Sequence, residues 1–344
     1  MSIVHTEWID PDGLLAVQSK LRAALETSLS KKQLLHVQFL LRYLKCVDVT
    51  YGPTVCGPLG LPARPLVCTY SQVRGGRMHC RAYQGPKWNA VDYSYICGQG
   101  MPNALRPFLM GKWGHDIDIE NCHVSIMYQV GASYHTWAEH DAGVRPLKLD
   151  TMRMLYTARD DFIELIADRH MLPTDAERYP GYRKHTCKPL LMRILYGGSY
   201  DAWLKEQNMY FGPRSPHVVR LQSEIFDLRR VLLSSKRFAH IAGQERESQR
   251  RRGRENEAAN RGAFAKIAQQ LECQILLSMR SWLLQDGWNV HSLIFDGLIV
   301  EHRADATLDL AALQQHVQDD TDFKLVMHEK PLFRVQPADE SLLA

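Results

Sequence analysis

Three short stretches hold residues whose types and spacing could do chemistry. In Asp116-Ile117-Asp118-Ile119-Glu120, acidic and apolar residues alternate. As a strand this segment turns all three carboxylates to one face. There they repel one another unless a cation neutralises them, and hard divalent ions prefer oxygen ligands; a solvated edge strand reads the same way. In residues 293–300, LIFDGLIV, two apolar runs flank Asp296-Gly297. That dipeptide favours a two-residue hairpin turn, because glycine tolerates positive φ. Asp296 then stands at the tip of a rigid hairpin, able to meet a cation or, as in many plain hairpins, only solvent. In residues 182–198, Lys184, Lys188, Met192 and Tyr196 recur four apart and share one helical face. Two cations, an apolar and an aromatic side chain suit a nucleotide, with phosphates at one end and the base at the other. An amphipathic surface helix with snorkelling lysines has the same pattern.

The elements that must position these residues follow from periodicity. Leu14, Leu15, Val17, Leu21 and Ala24, then Leu34, Leu35, Phe39, Leu40 and Leu44, predict helices over 12–46 with a capped break near residues 28–32. Gly52-Pro53, Gly57-Pro58, Pro62 and Pro65 make residues 52–75 a loop with short extended pieces. Short strands and turns are expected over 76–100, a helix over 101–110 and a strand over 115–119. Residues 148–235 read as mainly helical. Residues 241–261, rich in Arg and Glu with almost no large apolar residue, are expected to be an exposed connector. An amphipathic helix follows (Phe264, Ile267, Leu271, Ile275, Leu276, Met279, Leu283), closed by Gly287. Strand-like runs around a short helix at 307–318 fill 289–334. Segregated helices and strands of this kind point to an α+β fold whose sheet is assembled from distant parts of the chain.

Composition excludes several classes. The chain has 344 residues, 45% apolar and 23% charged, with a net charge of +4; it is neither disordered throughout nor a polycation. No apolar run approaches the roughly 18 residues of a membrane helix. The eight cysteines are scattered, with no CxxC pair, which suits free thiols in a reducing compartment and not a zinc module. The first residues carry acids and no basic, apolar signal segment, so an intracellular protein of the cytoplasm or nucleus is expected, without secretion and without a membrane partner.

Taken together, the three stretches resemble the conserved motifs of the superfamily that joins family A DNA polymerases and phage-type single-subunit RNA polymerases. Asp118, followed by His123 and Ser125, looks like motif A. Lys188, Met192 and Tyr196-Gly197 look like motif B, with Lys184 or its neighbour Arg183 in the place of a triphosphate-binding Arg. Phe295-Asp296-Gly297 occupies motif C, with Phe295 and Gly297 in place of its usual polar residues. The likeness is nearest to the transposon- and virus-encoded (TV-Pol) branch, through residues 116–123 and Gly76-Arg77, and covers roughly residues 75–305.

The resemblance implies a right-hand polymerase. It divides the chain into a small helical N-terminal region (1–70, a thumb or docking piece), a first antiparallel-sheet palm segment (71–135), helical fingers (136–240), a basic connector (241–261) and a second palm segment (262–344). It implies a template-directed nucleic-acid polymerase, in the first place a DNA-directed DNA polymerase of a virus or mobile element. A primer-independent RNA polymerase or primase of the same fold is the alternative, and a catalytically degenerate nucleic-acid-binding replication protein is the non-enzymatic one. Two Mg²⁺ or Mn²⁺ ions would sit between Asp118 and Asp296, helped by the backbone at Ile119, with Asp116 as a further acid or alternative ligand. Lys188 would serve the phosphate end of the nucleotide, His123 would stand at the sugar gate, and Met192, Tyr196 and Gly197 would line the base. The expected partners are template, primer, nucleoside triphosphates and a helicase or other replication factor. Duplex phosphates would be held by Arg77 and Arg106, with Arg74 and Arg81 beside them, and by Arg251 and Arg252 in the connector, with Arg250 and Arg254.

Overall fold

The computed structural model describes residues 2–72, 76–80, 96–112, 114–134, 147–209, 212–253, 256–303 and 305–330. In chain order the elements are β1 (Ser2–Ile9), α1 (Pro11–Ala24), α2 (Lys31–Thr50), β2 (Val55–Cys56), β3 (Pro62–Gln72), β4 (Met78–Cys80), α3 (Arg106–Leu109), β5 (Gly114–Ile119) and α4 (Cys122–Ala132). Then come α5 (Asp150–Thr157), α6 (Arg159–Arg169), α7 (Tyr182–Leu195), α8 (Tyr200–Glu206), α9 (Pro216–Ser234), α10 (Ala239–Arg250), α11 (Asn256–Gln285), β6 (Val290–Ile294), β7 (Gly297–Glu301), α12 (Leu310–Thr321) and β8 (Met327–Lys330). Two units emerge, one of Met1–Glu120 with Glu272–Ala344 and one of Asn121–Leu271. Among the described residues no helix is long and apolar enough to cross a membrane.

The first unit holds two four-stranded sheets, one built on β3 and one in the order β6-β7-β5-β8; all their pairings are antiparallel. The N-terminal region is not purely helical. Strand β1 pairs with β3 along its whole length, from Ser2 opposite Ser71 to Ile9 opposite Arg64. Its inward residues are Ile3, His5, Glu7 and Ile9, and the two polar ones among them disguise the two-residue period. The expected loop over 52–75 likewise contains the eleven-residue strand β3. Pro62 stands at its first position, where a missing N–H is tolerated. The two N-terminal helices form as their periodicity requires. Asp10 caps α1 through the Asp12 N–H, and Ser30 with Gln33 makes a capping box at α2. Buried stripes of Leu14, Val17 and Leu21, and of Val37, Leu40, Leu44 and Val47, hold them to the core. The helix expected over 101–110 contracts to the four residues of α3, because Pro107 is tolerated only in a first turn.

The second unit is helical. Its core gathers Phe162, Tyr200, Trp203, Ile225, Leu228 and Phe264, all essentially inaccessible. Glu224 on α9 accepts the Thr151 and Met152 N–H groups at 2.9 and 2.7 Å, satisfying the N-terminal donors of α5. The segment expected as an exposed connector instead folds as α10, with Ile241, Ala242, Glu245 and Gln249 buried along one face. Half of that face is polar and made acceptable by partners: Lys266 lies 2.8 Å from Glu245, and Gln249 donates to it. The units divide at 120/121 and 271/272, where the sequence reading drew its lines at 135/136 and 261/262. Helix α4 packs within the second unit, its Gly131 leaving room for Leu149 and Leu228.

Candidate active site

Strand β5 lies between β7 and β8, so its side chains are flanked on both edges. Along it Asp116 and Asp118 share one face by alternation, Asp116 buried and Asp118 partly so, while Ile117 and Ile119 enter the opposite core. Glu120 falls beyond the strand and is exposed. The hairpin β6–β7 carries the third acid. Ile294 pairs with Gly297, so the two turn residues are Phe295 and Asp296, one place earlier than Asp-Gly chemistry suggests. It is Phe295 that takes a positive φ, of 44°. Gly297 serves a different need: a Cβ there would lie 2.2 Å from the Ile117 carbonyl oxygen and 3.2 Å from Asp118 Cα. Its absence lets β7 close on β5, with Gly297 directly opposite Asp118. The Ile119 N–H then donates to the Asp296 carbonyl at 3.1 Å, fixing the turn beside the acid strand.

The register thus sets Asp296 beside the strand that carries Asp116 and Asp118. Burial pushes the Asp296 carboxyl above its ordinary range, and the Asp118 and Glu272 charges push it further. Asp116 is also raised, chiefly by burial, with Arg106 and Lys330 pulling the other way and Asp118 and Asp296 adding to the rise. Two of the surrounding residues escaped the sequence reading. Lys330 on β8 places its Nζ 2.6 Å from Asp118 Oδ2, and His328 Nε2 lies 3.9 Å from the same oxygen. Only the β5–β8 pairing, with Asp118 opposite His328, brings them there. The alternation of His328 and Lys330 near the chain end was the available signal.

Glu272 was also missed. Almost wholly buried, it is bound by Arg77 through two hydrogen bonds, one of them 2.8 Å long. The Arg77 guanidinium also lies 4.8 Å from the Phe295 ring centre. Arg77, expected to grip phosphate, thereby braces the turn that presents Asp296. Arg106 stands at the start of α3, its Nε buried and without a hydrogen-bond partner among the described residues, where its charge acts on Asp116. Among the described residues no group of three or more His, Cys, Asp or Glu side chains is gathered as a metal-holding cluster.

The residues that resemble motif B lie in the second unit. Helix α7 runs unbroken from Tyr182 to Leu195 with Pro189 inside it. Arg183 is engaged by Glu164 and Asp168 and by the Leu172 and Pro173 carbonyls, so it anchors the helix start. Lys184 pairs with Asp160 at 3.0 Å. Lys188 is exposed, and among the described residues nothing pairs with it. Met192 is half-buried on the same face. Tyr196 ends the helix and meets His123 on α4: its hydroxyl hydrogen-bonds His123 Nδ1, and the rings stand edge to face with centres 5.6 Å apart. Gly197 takes φ +74°, and a side chain there would strike the Arg229 guanidinium. Arg251 pairs with Glu247 and Arg252 is exposed; Arg74, Arg81 and Arg254 lie outside the described residues.

Neither a protein-family model nor a curated protein matches the sequence. Among solved structures the chain is similar to the POL domain of Pol1 from M. smegmatis, solved in complex with DNA primer-template and dNTP. The identity is 14%, the TM-score 0.41, and the match covers 85% of this chain and 50% of that one, so the chain spans half the length of the protein it resembles.

Proposed function

We propose that the chain is a template-directed nucleic-acid polymerase, a DNA-directed DNA polymerase of a virus or mobile element, related to the TV-Pol branch. The observation that carries the reading is the pairing of β5 with β7, which sets Asp118 opposite Gly297 and therefore beside Asp296. A nucleic-acid-binding protein without catalysis has no need of like charges held together at the expense of stability.

The donor set fits hard divalent ions. Asp118 and Asp296 offer oxygen ligands only, and the like charges that raise Asp296 are what a cation would relieve. Mg²⁺ characteristically takes one or two carboxylates and completes its shell with substrate phosphates and water, so a pair of acids suffices on the protein side. Two bound Mg²⁺ or Mn²⁺ ions would supply activation of the primer 3′-hydroxyl and stabilisation of the pyrophosphate leaving group. The chain's own residues do the positioning. Asp118 and Asp296 are held by the β5–β7 register, Asp116 tunes the charge behind them, and Arg77 with Glu272 steadies the turn. Exposed Lys188 neutralises the phosphate end of the nucleotide. The His123 ring, fixed by Tyr196, is bulky enough to disfavour a ribose 2′-hydroxyl, which favours deoxynucleotides.

The test is extension of a labelled primer on a template by the purified chain with Mg²⁺ or Mn²⁺. Asp296→Asn is expected to lower the rate by about 10²–10³-fold or more while duplex binding persists. Extension that survives substitution of both Asp118 and Asp296 by Ala would sink the assignment.

A further inference from the structure

The acid face of β5 is supplied with two cations of opposite mobility. Arg106 is partly buried at the start of α3, and its Nε is enclosed; it acts on Asp116 and cannot readily leave. Lys330 is different. Its side chain is 50% exposed, against 18% for Asp118, and its ammonium contacts Asp118 Oδ2 at 2.6 Å. The contact is diagonal: Lys330 Cα pairs with Asp116, and the long stem reaches along β5 to Asp118. Alternation puts His328 on the same side, whereas Glu329 turns away to meet His115 Nδ1 at 2.7 Å.

We propose that Lys330 is the resident counter-cation of the acid cluster and competes with a divalent ion for Asp118, so that it sets the metal affinity of the site and is released when metal binds. This rests on Asp118 and Asp296 acting as metal ligands. An ammonium hydrogen-bonded to Oδ2 occupies the space where a divalent ion would take the same oxygen at about 2.1 Å, and two cations that close repel. The ammonium gives way because it is monovalent and flexible, and because an ion pair open to water is worth little.

Two measurements on the full chain test the competition. In Mn²⁺ titrations followed by electron paramagnetic resonance, Lys330→Met is expected to bind Mn²⁺ about fivefold more tightly than the wild type, the ion no longer displacing an ammonium. In the unmutated chain, saturating Mg²⁺ is expected to raise acylation of Lys330 by an N-hydroxysuccinimide ester several-fold, read by mass spectrometry; this second readout needs no variant to fold. Equal or weaker Mn²⁺ binding by Lys330→Met, or Lys330 labelling unmoved by a Mg²⁺ concentration shown to bind, overturns the competition and leaves the metal reading standing. Absence of Mn²⁺ binding in wild type and variant alike, with both folded by circular dichroism, overturns both.

Discussion

Glu7 is a carboxylate placed where water does not reach. It accepts the Gly98 N–H at 2.6 Å and the Tyr51 hydroxyl at 3.3 Å, while Tyr70, hydrogen-bonded to it, also meets Ser292 Oγ at 2.9 Å. Burial raises its pKa against the pull of these donors. A carboxyl whose folded value is raised binds its proton more tightly in the native state. Its contribution to stability is therefore full below the unfolded value of about 4.3 and is lost as pH rises through the folded value. The neutral form has a place to donate: toward the Tyr70 oxygen, whose own hydroxyl then donates to Ser292 Oγ instead. Glu7→Gln imitates that form, so its melting temperature is expected to fall less between pH 5 and pH 8 than the wild type's, in paired thermal melts. An equal fall in both would show that Glu7 is not the titrating group. At this scale the acids of the candidate site were readable, because Asp116, Asp118 and Asp296 interrupt apolar runs where charge is out of place. Lys330 and His328 were not, since their alternation is an ordinary surface pattern until strand register brings them to Asp118, and Glu272 was not, since only the distant Arg77 accounts for its burial on α11.

Among the elements, the β6–β7 hairpin carries the most consequence for the site. Its existence was legible from two apolar runs around a turn, but its turn lies one residue earlier than expected. Phe295 takes the left-handed conformation, and Gly297 is reserved for the approach to β5. Gly297→Ala therefore drives a Cβ into backbone, which cannot swing aside as a side chain can. A loss of about 3 kcal/mol or more is expected, with primer extension falling alongside, as checked by chemical denaturation. A loss within about 0.5 kcal/mol would show that the strands separate freely at this point. Helices α1 and α2 were legible because their apolar stripes are clean, and α11 because its apolar residues run through about eight turns although Glu272 is buried among them. Strand β1 and helix α10 were not, since each turns polar residues inward and satisfies them with partners distant in the sequence. Periodicity reads hydrophobicity and is blind to a buried Glu7 or Glu245.

Across the whole molecule, the acid-bearing sheet is discontinuous in sequence. Strand β5 precedes residues 121–271, and its neighbours β7 and β8, with β6 beyond them, all follow. A chain ended at residue 271 keeps β5 but none of its sheet partners, so both its edges lie open. Such a truncation is expected to be insoluble or to lack a cooperative melt for the first unit, judged by sedimentation and circular dichroism; a soluble, cooperatively folding product would show that β5 needs no partner. The α+β character was legible in the order of elements, but how the distant strands interleave was not, because pairing between remote segments leaves no local trace. The β5–β7 alignment also carries a check on assembly. Acids occupy the even positions of β5 and isoleucines the odd ones, so a slip of a single residue would drive carboxylates into hydrocarbon and strand the isoleucines in water. A misthreaded molecule is thus disfavoured by its own instability, and the one register that buries both isoleucines is also the one that sets Asp118 opposite Gly297.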